Sequence, residues 1–537
     1  MANTEQFSNF EVETIQQTNP LTGSSTERKT IIFRRALDSQ IIESVKQLLD
    51  SDDEIYNDPI RLSPDEFYSH LKTITNKVSY GDDHLIELSF WLNEYFKDRI
   101  EQLERMSQDG KINFSNLESI INIGTKCIGK ILDQNVGFIV SRTDRGVDGN
   151  GVPFYSVSGK VTIAWGDKFK QFDKNFVIQQ FRGAISPDQL PVRPITEEET
   201  ATLTLRGAKL VKYGMSGTYA SYQGNMFRKT PYGIYKFRAD GRIMIDPTGF
   251  MKKYPSYDHF RGLVDCESVP DDLLFMCYPF VYGFSFANKE WGEIYIDNVT
   301  DVVFDDKAFD MVVLDQDTKQ MVKALITNAD ASFSDVITGK SKATIFCLDG
   351  SPGVGKTLLS ESICEYLHKP LYSVTVGELG TTPEILENKL NSILEIAYAW
   401  NAVILLDEAD IFMEKRSSND LVRNAMVSIF LRLLERYQGI MFLTTNRMDE
   451  FDPAFKSRIS ISIHYDELSG EARKQVWTNL LSASNITLPE EDIVSLSFIQ
   501  LNGRQIKNCI RMAQCLAKDA NQNMTKEIVE RVVPFII

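Results

Sequence analysis

No apolar run in these 537 residues approaches the ~20 needed to cross a bilayer. The first 28 residues have neither the basic start and apolar stretch of a secretion signal nor the Arg-rich, acid-poor character of a transit peptide. The expectation is a soluble, intracellular protein, cytoplasmic and without a membrane span. Cysteine is also sparse: seven are scattered along the chain with no CxxC spacing, which excludes a disulfide framework and a zinc ribbon and fits a reducing compartment. Basic charge falls short of acidic charge, 58 Lys and Arg against 74 Asp and Glu, for a net −16. The long-range field therefore repels phosphate backbones and anionic membranes, so nucleic acid is a disfavoured partner.

What is present has the composition of an ordinary globular protein, 43% hydrophobic and 25% charged, and the length predicts at least three units. Turn formers and polar residues at Thr18, Asn19, Pro20, Leu21, Thr22, Gly23, Ser24 and Ser25 predict a flexible tail over residues 1–30. Helical spacing follows over 31–132, as in Ile41, Ile42, Val45, Leu48 and Leu49. From residue 133 to 300 the period falls to two, with Phe138, Val140, Tyr155, Val157, Val161 and Ile163 alternating with polar residues, which predicts a β-rich domain. Tyr213, Tyr219, Tyr222, Phe227, Tyr232, Tyr235 and Phe237 are read first as core and strand-face residues and second as a recognition surface.

Residues 301–466 alternate helical patterns with short continuous apolar runs, the mark of parallel strands buried on both faces. Helical spacing then returns over 467–537. The fold class is α/β, an αβα core with a C-terminal helical lid, preceded by a β-rich domain and an N-terminal helical region.

Within that core Gly350, Ser351, Pro352, Gly353, Val354, Gly355, Lys356 and Thr357, followed by Leu358, fit G-x-x-x-x-G-K-[ST] between a strand and a helix. Glycines let backbone N–H groups turn inward around phosphates, the helix N-terminus adds positive potential, and Lys356 neutralises the β and γ charges. Thr357 supplies a ligand for Mg²⁺. The strand Val403, Ile404, Leu405, Leu406 delivers Asp407 and Glu408, the first to hold Mg²⁺ through water and the second to polarise the attacking water. The strand ending Thr444, Thr445 places Asn446 where it orients the same water, unless it is only a turn residue. Asp452, Pro453, Ala454, Phe455, Lys456, Ser457, Arg458 presents an exposed cation, either an arginine finger or a solvated surface arginine. Asn502, Gly503, Arg504 opens a helix from which Arg504 reaches the γ-phosphate, while Asn502 caps the helix.

Taken together and in this order, these features resemble the AAA family of ATPases. The resemblance implies ATP with Mg²⁺ between core and lid, a neighbouring subunit's arginine completing the site, and usually a hexameric homo-oligomer that remodels proteins. The wording of 407–447 and 452–458 is similar to a group common in fungi with a β-rich region of undefined role upstream, and the likeness extends back through Phe138 to Val299. Two departures stand out: Gly377, Glu378, Leu379, Gly380 lacks the aromatic of polypeptide-threading pore loops, and Arg458 is a single arginine with Lys456 nearby. The predicted function is ATP hydrolysis driving rearrangement of a protein partner. The alternatives are a nucleic-acid motor or clamp-loader-like ATPase, disfavoured by charge, and a slow nucleotide-gated binding switch.

Overall fold

The computed structural model describes residues 3–18, 25–34, 38–49, 59–257, 260, 262–328, 343–413 and 420–536. The chain divides into two compact units, Met1–Lys212 with Asp258–Pro279, and Tyr213–Tyr257 with Phe280–Ile537. This corrects the expectation of one β-rich domain over 133–300. Strand alternation reports local structure but not which sheet a strand joins, and the strands of that region separate into sheets that belong to different units.

The first unit begins with a second correction. Residues 3–33, read as tail and helical onset, carry the strands Asn3–Gln6, Glu11–Thr18 and Ser25–Phe33, joined by Ile60–Leu62 in one antiparallel sheet. Asn19 to Ser24 lie outside the described residues. One face of this sheet, through Phe10, Val12, Ile31 and Phe33, packs on Ile41, Ile42 and Val45 of the helix Ser39–Leu48 and on Leu85, Leu88 and Leu92. The strands Glu11–Thr18 and Ser25–Phe33 interleave polar residues with this apolar set, which is how an antiparallel sheet solvated on one side reads. A six-stranded antiparallel sheet from Lys126 to Cys266 follows, with Phe138 and Phe176 stacked at 4.6 Å in its core. The helix Glu197–Tyr213 interrupts the strand pattern.

The second unit opens with β1 (Thr218–Thr230), β2 (Gly233–Ile245), β3 (Phe280–Ser285), β4 (Glu290–Tyr295) and β5 (Val299–Thr300). β1 pairs with β2, β2 with β3, β3 with β4, and β4 returns to β1 at Glu293 opposite Phe227, so the first four strands close a ring of pairings. Of the aromatics singled out above, Tyr213, Tyr222 and Phe227 are buried, whereas Tyr232 and Tyr235 stand exposed on the β1–β2 hairpin.

After α1 (Gln316–Thr327) come β6 (Thr344–Gly350), α2 (Lys356–Leu367), β7 (Leu371–Thr375), α3 (Pro383–Ala399), β8 (Val403–Asp407), α4 (Leu421–Arg436), β9 (Ile440–Thr445) and β10 (Ile461–Tyr465). The five strands form a wholly parallel sheet in the order β7-β8-β9-β6-β10. Ile345 to Leu348, Val403 to Leu406 and Ile440 to Leu443 are buried, as a sheet covered on both faces requires. Four lid helices complete the unit: α5 (Gly470–Ala483), α6 (Glu490–Ser497), α7 (Gly503–Asp519) and α8 (Lys526–Val532), packed around a fully buried Trp477.

The strand ring is fastened to this core. Phe284 stacks on Tyr372 at 5.6 Å, and Trp400, at the end of α3, lies 5.3 Å from Phe284 and 5.7 Å from Trp291 between ring centroids. The buried Trp400 Nε1 donates to Asp246 Oδ2 at 2.8 Å, and Arg242 pairs with Glu365 at the end of α2 at 2.6 Å.

Candidate functional site

In a parallel α/β sheet ligands bind beyond the carboxyl ends of the strands. Here β6, β8 and β9 deliver Gly350, Asp407 and Thr445 to that edge. The register aligns them, with Asp349 opposite Thr445 and Leu406 opposite Leu443, so Asp407 comes level with Thr444 and Gly350 with Asn446. On its other side Gly350 pairs with Tyr465 at a φ of 136°, and a Cβ there would lie 2.3 Å from the Tyr465 carbonyl oxygen. Only glycine fits this start of the loop.

The loop ends at Gly355, whose φ of 110° places it as the N-cap of α2. That geometry leaves the first N–H groups of α2 without carbonyl partners, a ready anion site. Lys356 bends back over the loop, and its Nζ donates to the carbonyls of Gly350 at 2.6 Å and Ser351 at 3.0 Å and to Asn446 Oδ1 at 2.7 Å. Partial burial lowers its pKa, while the carboxylates of Asp407, Asp410 and Asp349 oppose that shift and Arg504 adds to it. One cation thus touches two of the sequence motifs and senses the charges of two others.

Asp407 and Glu408 differ in environment despite being adjacent. Thr444 Oγ1 donates to Asp407 Oδ1 at 2.5 Å and accepts from the Glu408 N–H at 2.9 Å, so one hydroxyl holds both residues. Glu408 itself has a φ of 56°, in the left-handed region that costs a non-glycine residue of order 1–3 kcal/mol. The turn ends the strand abruptly and leaves Glu408 exposed. Thr445 repeats the device: its hydroxyl donates to Asp410 and accepts from the Arg447 N–H at 2.9 Å. Both threonines were visible beside Asn446 in the sequence. Their roles were not, because they depend on β9 lying against β8.

Arg504 lies against the loop, its N–H donating to the Gly353 carbonyl at 3.3 Å, and Asn502 caps α7 through a bond from the Gln505 N–H at 2.9 Å. Arg458 departs from expectation. Instead of an exposed cation it is a half-buried one, turned onto its own subunit, donating to the Ala454 carbonyl at 2.6 Å and paired with Glu435 of α4. Lys456 is the exposed cation of that turn. In the segment Gly377 to Gly380, Glu378 Oε1 pairs with Lys289 of the β3–β4 turn at 2.5 Å and accepts from Thr375 Oγ1 at 3.0 Å.

The donor set fits a nucleoside triphosphate with a divalent cation: loop glycines at positive φ, a lysine already among the loop carbonyls, and a threonine and an aspartate as hard oxygen ligands. No cluster of three or more His, Cys, Asp or Glu side chains able to hold a metal by themselves occurs among the described residues. Among the described residues no helix is long and apolar enough to cross a membrane.

Comparison with known proteins bears on the same region. Residues 346–467 match the family model for the ATPase family associated with various cellular activities (AAA), and residues 102–199 match a domain of unknown function, DUF7025. Lon protease 4 of Sorangium cellulosum is 24% identical over 232 residues, 36% of this chain and 29% of that one. The mitochondrial Lon protease homolog of Zea mays is 31% identical over 117 residues, 20% and 12% of the two chains. Human ATPase family AAA domain-containing protein 3B is 26% identical over 135 residues, 24% and 21%. The chain spans less than a third of the length of these relatives. The solved FIGL-1 AAA domain in complex with ADP aligns with 16% identity and a TM-score of 0.34 over 42% of this chain and 83% of that one.

Proposed function

This chain belongs to the AAA family of ATPases through its domain at 346–467, and from that premise we propose that it hydrolyses ATP to ADP and phosphate, with Mg²⁺, to rearrange a protein partner. The observation that carries the proposal is the Lys356 ammonium, which bonds the phosphate-loop carbonyls on one side and Asn446 on the other. A cation with that reach exchanges carbonyl partners for β and γ oxygens without moving its backbone, and Asn446 stays beside it.

In this reading residues Gly350 to Leu358 hold the nucleotide. Thr357 and Asp407 would hold Mg²⁺, which when bound neutralises charge on the phosphates. Glu408 accepts a proton from the attacking water, and Asn446 keeps that water in line. Arg504 approaches from the lid and adds positive charge at the γ-phosphate. Arg458 would act on a neighbouring subunit's nucleotide in a homo-oligomeric ring, after giving up Glu435, and could contribute about 10³ to 10⁵ in rate. The acidic net charge of −16 supports a protein partner over a nucleic acid.

The test is hydrolysis by Glu408→Gln. Loss of the base is expected to lower kcat by about 10² to 10⁴ while ATP binding persists. Wild-type turnover in that variant would remove Glu408 from the reaction.

A further inference from the structure

The phosphate loop is held from outside by the lid. Pro352 O accepts from Asn502 Nδ2 at 3.4 Å, and Gly353 O accepts from the Arg504 N–H at 3.3 Å. Packing at this junction is tight. A Cβ on Gly353, whose φ is 82°, would lie 2.9 Å from Asn502 Oδ1 and 3.2 Å from Arg504 Cβ, and one on Gly503 would lie 3.1 Å from the Gly353 carbonyl oxygen.

A trans peptide is planar, so its N–H points opposite to its C=O. The Pro352 carbonyl shares a peptide unit with the Gly353 N–H, and the Gly353 carbonyl shares one with the Val354 N–H. Turning both carbonyls to the lid therefore turns both N–H groups away from it, into the hollow of the loop. We propose that the N-terminus of α7 sets the aim of these two phosphate-binding amides, with Asn502 as the positioning residue. The inference rests on the nucleotide-binding reading of the loop. Asn502 acts through the loop, and its two side-chain atoms divide the work: Oδ1 caps α7 by accepting from the Gln505 N–H at 2.9 Å, and Nδ2 holds the Pro352 carbonyl. Lid docking and nucleotide affinity become one equilibrium, since a lid that swings away releases the carbonyls that orient the amides.

The division of labour makes the test clean. In the full chain Asn502→Ser keeps an N-cap, because serine caps about as well as asparagine, but supplies no amide. Asn502→Ala loses both functions, and Gly503→Ala pushes on the same contact from the lid side while favouring helix. The readouts are the affinity for a fluorescent ADP analogue, measured in EDTA so that neither metal nor turnover enters, and the melting temperature. Loss of a neutral hydrogen bond predicts about fivefold weaker ADP binding for Asn502→Ser at an unchanged Tm. Asn502→Ala is expected to bind as weakly and also to melt lower, and Gly503→Ala to bind more weakly without melting lower. Wild-type affinity in both Asn502→Ser and Gly503→Ala would overturn the positioning role alone. Failure of the wild-type chain to bind the analogue would overturn the nucleotide site and this inference with it.

Discussion

At the scale of single residues the site depends on hydroxyl groups as much as on charges. Thr444 touches both Asp407 and Glu408, and without its hydroxyl the aspartate would lose an orienting donor while the Glu408 N–H would lose its acceptor. Thr444→Val, similar in shape, is therefore expected to reduce kcat by about tenfold, the equivalent of one hydrogen bond to a charged group, with Thr444→Ser recovering most of it. Steady-state kinetics of the two variants decide this; equal losses in both would assign Thr444 to packing. Lys356, Asp407, Glu408 and Asn446 were legible in the sequence because each stands at a fixed offset from its own apolar strand. Thr444 was not, since the atoms it joins come from segments 36 and 37 residues away in the chain.

At the scale of elements the notable joint is the one between the strand ring and the ATPase core. Trp400 closes α3 and is buried among Phe284, Trp291 and Tyr372 while its N–H satisfies Asp246, whose other oxygen accepts from the Gly249 N–H and caps the helix Pro247–Lys253. Trp400→Phe keeps an aromatic ring but leaves a buried carboxylate oxygen short of a donor, at a cost of about 1.5–3 kcal/mol. A drop of several degrees in Tm with little change in ADP affinity is expected from calorimetry and binding together; an unchanged Tm would mean that Asp246 finds another donor. Parallel strands were legible from their unbroken apolar runs, and alternating strands from their period of two. The sheet hidden in residues 3–33 was missed because one of its faces is polar and its core partners, from Ile41 to Leu92, come later in the chain. The helix Glu197–Tyr213 was missed although Thr196 and Glu199 form a capping box, the Glu199 N–H donating to Thr196 Oγ1 at 3.2 Å and the Thr196 N–H to Glu199 Oε2 at 3.1 Å, and that residue pair was there to be read.

At the scale of the whole molecule the question is whether Arg458 serves its own subunit or another. Paired with Glu435 it stabilises its own α4, and as a finger it must exchange that partner for a neighbour's phosphate. Arg458→Ala and Glu408→Gln subunits, each expected to be inactive alone, should recover part of the hydrolysis rate when mixed if the site is shared between chains. A mixture no more active than its components would leave Arg458 as a structural ion pair. The sequence by itself determined which motifs the core carries: a glycine-rich loop, two carboxylates and an amide, each in a short contiguous segment whose backbone context is set by neighbouring residues. Only the tertiary structure decided that Thr444 joins the carboxylates, that Arg458 faces inward, that the β-rich region belongs to two units, and that Asn502 reaches Pro352 across 150 residues. Motif spacing carries information over a turn or a strand, whereas these contacts are fixed by strand order, register and helix packing, which join segments far apart in the chain.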